Sequence, residues 1–67
     1  MTYEELTKFL GKTVLVTYMD GRQFQGVFTN TESEFDTASG KEEIELDVET
    51  FCYGIPLDEI TDMEELL

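Results

Sequence analysis

The stretch Thr13 to Phe28, TVLVTYMDGRQFQGVF, constrains this chain more than any other. Two runs rich in β-branched and aromatic residues flank the pair Asp20-Gly21. Such a pair between apolar runs is among the strongest short-range signals for a β-hairpin, and it predicts a tight type I′ turn. Val14, Val16 and Tyr18 alternate with Leu15, Thr17 and Met19, so the first strand is apolar on both faces and is expected to be largely covered. In the second strand Phe24, Gly26 and Phe28 share one face, and Gln23, Gln25 and Val27 share the other. A glycine inside a strand marks a bulge or a sharp bend, so Gly26 predicts a strongly bent strand of the kind a small barrel requires.

Before the hairpin, Thr2-Tyr3-Glu4-Glu5 has the form of a capping box. Tyr3, Leu6, Phe9 and Leu10 follow at helical spacing and Gly11 is placed to end the run, which predicts an amphipathic helix over about 2–10. After the hairpin, Glu32, Glu34 and Asp36 alternate with Ser33 and Phe35; read as a strand, this puts three carboxylates on one face and Phe35 on the core. Ala38-Ser39-Gly40-Lys41 reads as a turn. From Glu42 to Ile55, apolar Ile44, Leu46 and Val48 alternate with Glu43, Glu45, Asp47 and Glu49, which predicts a half-buried strand with an anionic outer face. Thr50 breaks the parity and Phe51, Tyr53 and Ile55 become the apolar set, read as a bulge or bend that lets one long strand serve two sides of a barrel. Pro56 ends that strand, and Leu57 to Ile60 has the spacing of one helical turn. Ile60, Met63, Leu66 and Leu67 form a last short strand or a tail, with Leu66-Leu67 as a terminus or docking element.

The chain has 67 residues, enough for one small domain whose core is marginal on its own, so self-association is in view. Its formal net charge is -12, from 16 acidic and 4 basic residues. Residues 42–67 hold ten of those carboxylates and none of the bases. So acidic a chain repels phosphate backbones at long range; nucleic-acid binding would have to come from a local cluster of bases or from stacking. The alternative is that the acid serves only solubility and keeps strand edges apart. The single cysteine, Cys52, rules out a disulfide within the chain and is read as a small buried hydrophobe. No apolar run approaches the roughly 20 residues of a membrane-spanning helix, and the start lacks the basic and apolar regions of a signal peptide, so a soluble cytoplasmic protein is expected.

A helix, five strands, a bent second strand and a helical turn before the last strand resemble the plan of the Sm and Sm-like (LSm) family. DGRQFQGVF is similar to the first Sm signature, in which the glycine is followed six and ten positions on by an acid and an amide; from Gly26 those positions are Glu32 and Asp36. Gly54, Leu57 and Ile60 match the spacing of the second signature. The resemblance implies a single Sm-like domain over 1–67: a mostly β, SH3-like small barrel over about 12–65 behind the N-terminal helix. It further implies assembly through strand edges into a homo-oligomeric ring and contact with single-stranded RNA at Glu32, Glu34, Asp36, Tyr53 and Gly54. The RNA signature is degenerate. The Asp36 carboxylate cannot donate as an amide does, Glu34 has no stacking face, and a tyrosine, Tyr53, precedes Gly54 where the family usually has a base.

No enzyme is expected, because there is no histidine, nucleophile elbow, phosphate-cradling glycine loop or Cys/His metal cluster. No cofactor is expected. Hard cations take clustered oxygens, but Glu32, Glu34 and Asp36 read first as solvated acids. Two functions remain. One is a non-enzymatic Sm-like oligomer associated with RNA, with weak or altered RNA binding. The other is an acidic interaction domain or nucleic-acid mimic that presents Glu43, Glu45, Asp47 and Glu49 to a basic protein.

Overall fold

The computed structural model describes residues 1–49 and 51–66. Helix α1 (Tyr3–Thr7) is followed by strands β1 (Thr13–Tyr18), β2 (Gln23–Glu32), β3 (Glu43–Val48) and β4 (Phe51–Pro56). A single 3-10 turn (Leu57–Glu59) then leads into β5 (Ile60–Glu65). The strands form one antiparallel sheet in the order β4-β3-β2-β1-β5, so β4 and β5 are its two edges. No helix among the described residues is long and apolar enough to cross a membrane.

The capping box forms as expected: the Glu5 amide donates to Thr2 Oγ1 at 3.3 Å, and the Thr2 amide donates to Glu5 Oε1 at 2.9 Å. The helix is shorter than the expected 2–10. Beyond Thr7 the chain tightens into i→i+3 turns (Phe9 to Leu6, Leu10 to Thr7), and the Gly11 amide then donates to the Phe28 carbonyl of β2 at 2.7 Å. That bond ties the helix segment to the sheet, and Gly11 accommodates it with φ of 83°. The hydrogen bonds from Thr2 hold the Glu5 carboxyl below its usual pKa. A depressed carboxylate contributes stability above its unfolded pKa and loses it as pH falls through the folded one. Thr2→Ala is therefore expected to lower the melting temperature by about 4–8 °C near pH 7, a gap that narrows once pH drops below 4.5, as thermal melts of both proteins across pH would read.

The hairpin between β1 and β2 is present, but its turn is not type I′. That type needs positive φ at both central residues, and of Asp20 and Gly21 only Gly21 has it, at 89°. Gly21 instead donates to the Tyr18 carbonyl and Tyr18 to the Arg22 carbonyl, at 2.9 and 2.8 Å, which closes a three-residue loop with glycine in the left-handed position. The Asp20 side chain accepts from the Arg22 amide and Nε, so the aspartate holds the loop rather than its central bend.

The Glu42–Ile55 segment differs more. It is a hairpin of β3 and β4, with Val48 paired to Phe51, and Glu49 turns the corner at φ 55°. A reversal that pairs Val48 with Phe51 changes sequence parity as a bulge does, which is why the segment reads as one long strand. Thr50, the residue of the parity break, lies outside the described residues. The 33–42 segment is not a strand: β2 ends at Glu32, and Asp36 donates back to the Ser33 carbonyl at 3.0 Å in a turn. Phe35, expected on the core, is 89% exposed. Leu57 to Glu59 and β5 stand where the sequence placed them, and the Leu66 amide donates to Thr13; Leu67 lies outside the described residues.

The core is built from Leu6 of α1, Val14 and Val16 of β1, Phe28 of β2, Ile44 and Leu46 of β3, Ile55 of β4, Leu57 of the 3-10 turn, and Ile60 and Met63 of β5. One face of the sheet, bent around these side chains, thus buries its alternate residues, and the other face is left to carry the polar set.

Candidate protein interface on the acidic sheet face

The outer face is fixed by the same alternation that makes the core. Because Ile44 and Leu46 of β3 point inward, Glu43, Glu45 and Asp47 point outward, half-buried among their neighbours. In register beside them lie Glu32, Asn30 and Val27 of β2 on one side, and Pro56, Gly54 and Cys52 of β4 on the other. Glu32 and Glu43 are directly opposite, a like-charge pair that costs stability in a sheet. Among the described residues no cation pairs with either carboxylate. The ion pairs among the described residues are Lys12–Glu65, Arg22–Asp20 and Lys41–Asp58, at 3.2, 2.6 and 3.3 Å, and none of them engages Glu32, Glu43, Glu45 or Asp47.

Hydroxyls take the place of cations. Ser39 Oγ donates to Glu43 Oε2 at 2.7 Å and Thr29 Oγ1 to Glu45 Oε1 at 3.2 Å, which orients two carboxylates without neutralising them. Thr29 is the bulged residue where the β2–β3 register shifts between Phe28 and Asn30, so the irregularity of β2 lies there rather than at Gly26. Glu49, in the β3–β4 turn, ends the line of acid on the exposed surface.

Cys52 is exposed, not buried as expected, because β4 is an edge strand and Cys52 lies on its outer face opposite Asp47. Its thiol is pushed above the usual pKa, first by loss of solvent around it and then by the Asp47 and Glu45 carboxylates. A raised pKa keeps it a neutral thiol rather than a nucleophilic thiolate.

Of the residues matching the RNA signature, Glu32, Tyr53 and Gly54 border one shallow hollow together with Glu43 and Glu45. Glu34 borders another, beside Thr2, Tyr3 and Leu57, and Asp36 is held in the 33–36 turn by Ser33 Oγ at 3.1 Å. The five positions are thus not brought into one site, because the chain leaves the sheet after Glu32. Among the described residues no group of three or more acidic, cysteine or histidine side chains could hold a metal ion.

Tyr53 belongs to a feature that the reading of the sequence missed. Its ring lies 5.9 Å from Phe24 and 6.3 Å from Phe51, and Phe24 lies 5.0 Å from Tyr18, giving an aromatic strip along the inner margin of the sheet. The Arg22 guanidinium stands 5.2 Å from the Tyr18 ring and 6.0 Å from Phe24. Phe51 and Tyr53 remain 64% and 42% exposed. The parity of β2 and of Phe51-Tyr53 carried the signal, but only the β3–β4 reversal shows that these rings meet.

No family model matches the chain, and no curated protein matches its sequence. Among solved structures, the chain is similar to YaeO from Vibrio cholerae O395 bound to magnesium, with a TM-score of 0.84 and 22% identity over 100% of this chain and 86% of that one. At that identity the likeness shows the fold.

Proposed function

We propose that the chain is a non-enzymatic, cytoplasmic interaction domain on an Sm-like small barrel, which docks the carboxylates of β3 onto a basic protein surface of the kind that otherwise holds a nucleic-acid backbone. The observation that carries this reading is the row Glu43, Glu45 and Asp47, extended by Glu32 and Glu49, with no cation paired to any of them among the described residues. Alternate strand residues repeat about every 6.8 Å, so the row is a regular line of negative charge on a rigid support. The self-repulsion it costs the isolated domain is released when a basic surface covers it, and electrostatic attraction of this kind speeds and selects encounter.

A deca-arginine peptide is a suitable probe. Replacing Glu43, Glu45 and Glu49 by glutamine and Asp47 by asparagine is expected to weaken its binding about tenfold or more at low salt, with a flatter salt dependence. The control removes four charges outside the strands, at Glu4, Glu34, Asp36 and Glu59, and is expected to weaken binding only a few-fold, roughly as net charge alone requires. Equal losses in the two variants would reduce the face to a contribution to net charge.

A second reading, an Sm-like homo-oligomer associated with RNA, draws on the free edges of β4 and β5 and on the exposed ring of Tyr53. The hollow beside Tyr53 and Gly54 is bordered by Glu32, Glu43 and Glu45, which oppose a phosphate. Filter binding of uridine-rich and adenine-rich single strands at low salt, beside sedimentation, separates the two readings: retained RNA and a multi-subunit mass would favour the second.

A further inference from the structure

We propose that the free edge of β4 accepts an extended segment of a partner protein as an added antiparallel strand, and that this segment alternates basic and apolar residues. Its basic half rests on the acidic-interface reading above; its strand geometry does not.

The edge is open in a defined way. The Leu57 amide donates to the Glu42 carbonyl of the β3 side at 3.0 Å. Counting back by alternation, Ile55, Tyr53 and Phe51 also direct their amides and carbonyls to β3, so those of Cys52 and Gly54 point outward. Pro56, which has no amide to give, falls on the outward set, where a ladder bond is not lost. β4 therefore offers two adjacent outward donor–acceptor sets, at Cys52 and Gly54, and an incoming strand can pair with them.

The side chains on the two faces of this edge differ in chemistry, which specifies the incoming sequence. On the inner face stand Phe51 and Tyr53, exposed and continuous with Phe24, so residues opposite them meet aromatic surface. On the outer face Cys52 and Gly54 are small, and the β3 carboxylates lie just behind them. The Glu43 carboxylate occupies the space over Gly54: a Cβ built there would lie 2.5 Å from Glu43 Oε1. An incoming residue opposite Gly54 sits about 9.5 Å from β3, two strand spacings, a gap that a lysine or arginine and a glutamate together close. Basic residues therefore belong opposite Cys52 and Gly54, and apolar ones opposite Phe51 and Tyr53.

A second copy fits this edge poorly. The complementary edge, β5, carries Asp62 and Glu64 on the same outer face, as their pairing with Thr17 and Leu15 shows. Pairing β5 of another copy with β4 would set those acids on the same face as Glu43, Glu45 and Asp47, one strand beyond them, a like-charge approach that opposes closure.

The test uses a capped octapeptide of alternating lysine and valine with the full chain. Binding is expected to protect the Cys52 and Gly54 amides from hydrogen exchange. N-methylation of the lysines, whose amides face β4 in the antiparallel register, is expected to weaken binding about tenfold or more, and N-methylation of the valines about twofold or less. Equal binding of both methylated peptides would overturn edge pairing while leaving the acidic interface standing. Edge protection that survives neutralisation of the four acids of Glu43–Glu49 would support edge pairing and remove the acidic reading. Protection of Cys52 and Gly54 that grows with protein concentration alone, without peptide, would overturn the proposal in favour of a second copy.

Discussion

Phe28→Ala is expected to leave most of the molecules unfolded at 25 °C, whereas Phe35→Ala is expected to melt within a few degrees of the parent. Phe28 has 0% exposure and is the largest fully buried side chain; Phe35 is 89% exposed on the 33–42 loop. Truncating a buried phenylalanine costs about 3–5 kcal/mol, through lost transfer free energy and the cavity left behind. A domain of this size holds only about 3–5 kcal/mol of stability, so the loss is comparable to the whole. The Phe28 site also cannot easily collapse, since both its amide and its carbonyl are fastened to the Gly11-Lys12 segment before β1. Circular dichroism and a urea titration read the outcome. A folded Phe28→Ala protein with an unchanged midpoint would show that the core is organised elsewhere.

The second large effect is expected at Gly26. A Cβ there would lie 2.6 Å from the Asp47 carbonyl oxygen, 3.0 Å from Leu46 Cγ and 3.1 Å from Val48 Cγ2. The nearest of these is backbone of β3, which cannot withdraw without parting from β2. Overpacking of a tight site costs about 1–3 kcal/mol and more where backbone must shift, so Gly26→Ala is expected to lower the melting temperature by about 10 °C or more and Gly26→Val to prevent folding. Gly54→Ala is the control. Its Cβ meets only the far end of the Glu43 side chain, 2.5 Å away, and that carboxylate can swing aside. Thermal melts of the three variants should therefore rank with the chemistry of the atom met rather than with the distance, and a Gly26→Ala protein as stable as Gly54→Ala would contradict this account.

Gly26 shows how far the sequence could be read. A glycine among strand formers signals a special backbone position, and it is one: β3 passes against it. The bulge that the residue suggested sits three positions later at Thr29, because the need for a glycine came from a neighbouring strand and not from its own torsion angles. Asp20-Gly21 likewise announced a hairpin without specifying its closure, which depended on where Tyr18 and Arg22 could pair. The Glu43–Glu49 acids were legible as one face, since alternation is local. Their lack of cations was not, because it depends on which carboxylate each base meets in space: three bases pair with Glu65, Asp20 and Asp58, and Lys8 lies over the Phe9 ring.

The sequence by itself determined what depends on near neighbours along the chain: the capping box at Thr2 and Glu5, the β1–β2 hairpin, the helical turn at Leu57 and the anionic side of β3. Periodicity and capping act over a few residues, so they are written in any short window. The tertiary structure alone decided which segment reverses and which edge stays open. A parity change after Glu49 fits a bulge or a hairpin equally well, and only the pairing of Val48 with Phe51 selects the hairpin. That choice brings Tyr53 onto Phe24, exposes Cys52 and leaves the outer edge of β4 open beside a row of carboxylates, all consequences of contacts between residues far apart in the chain.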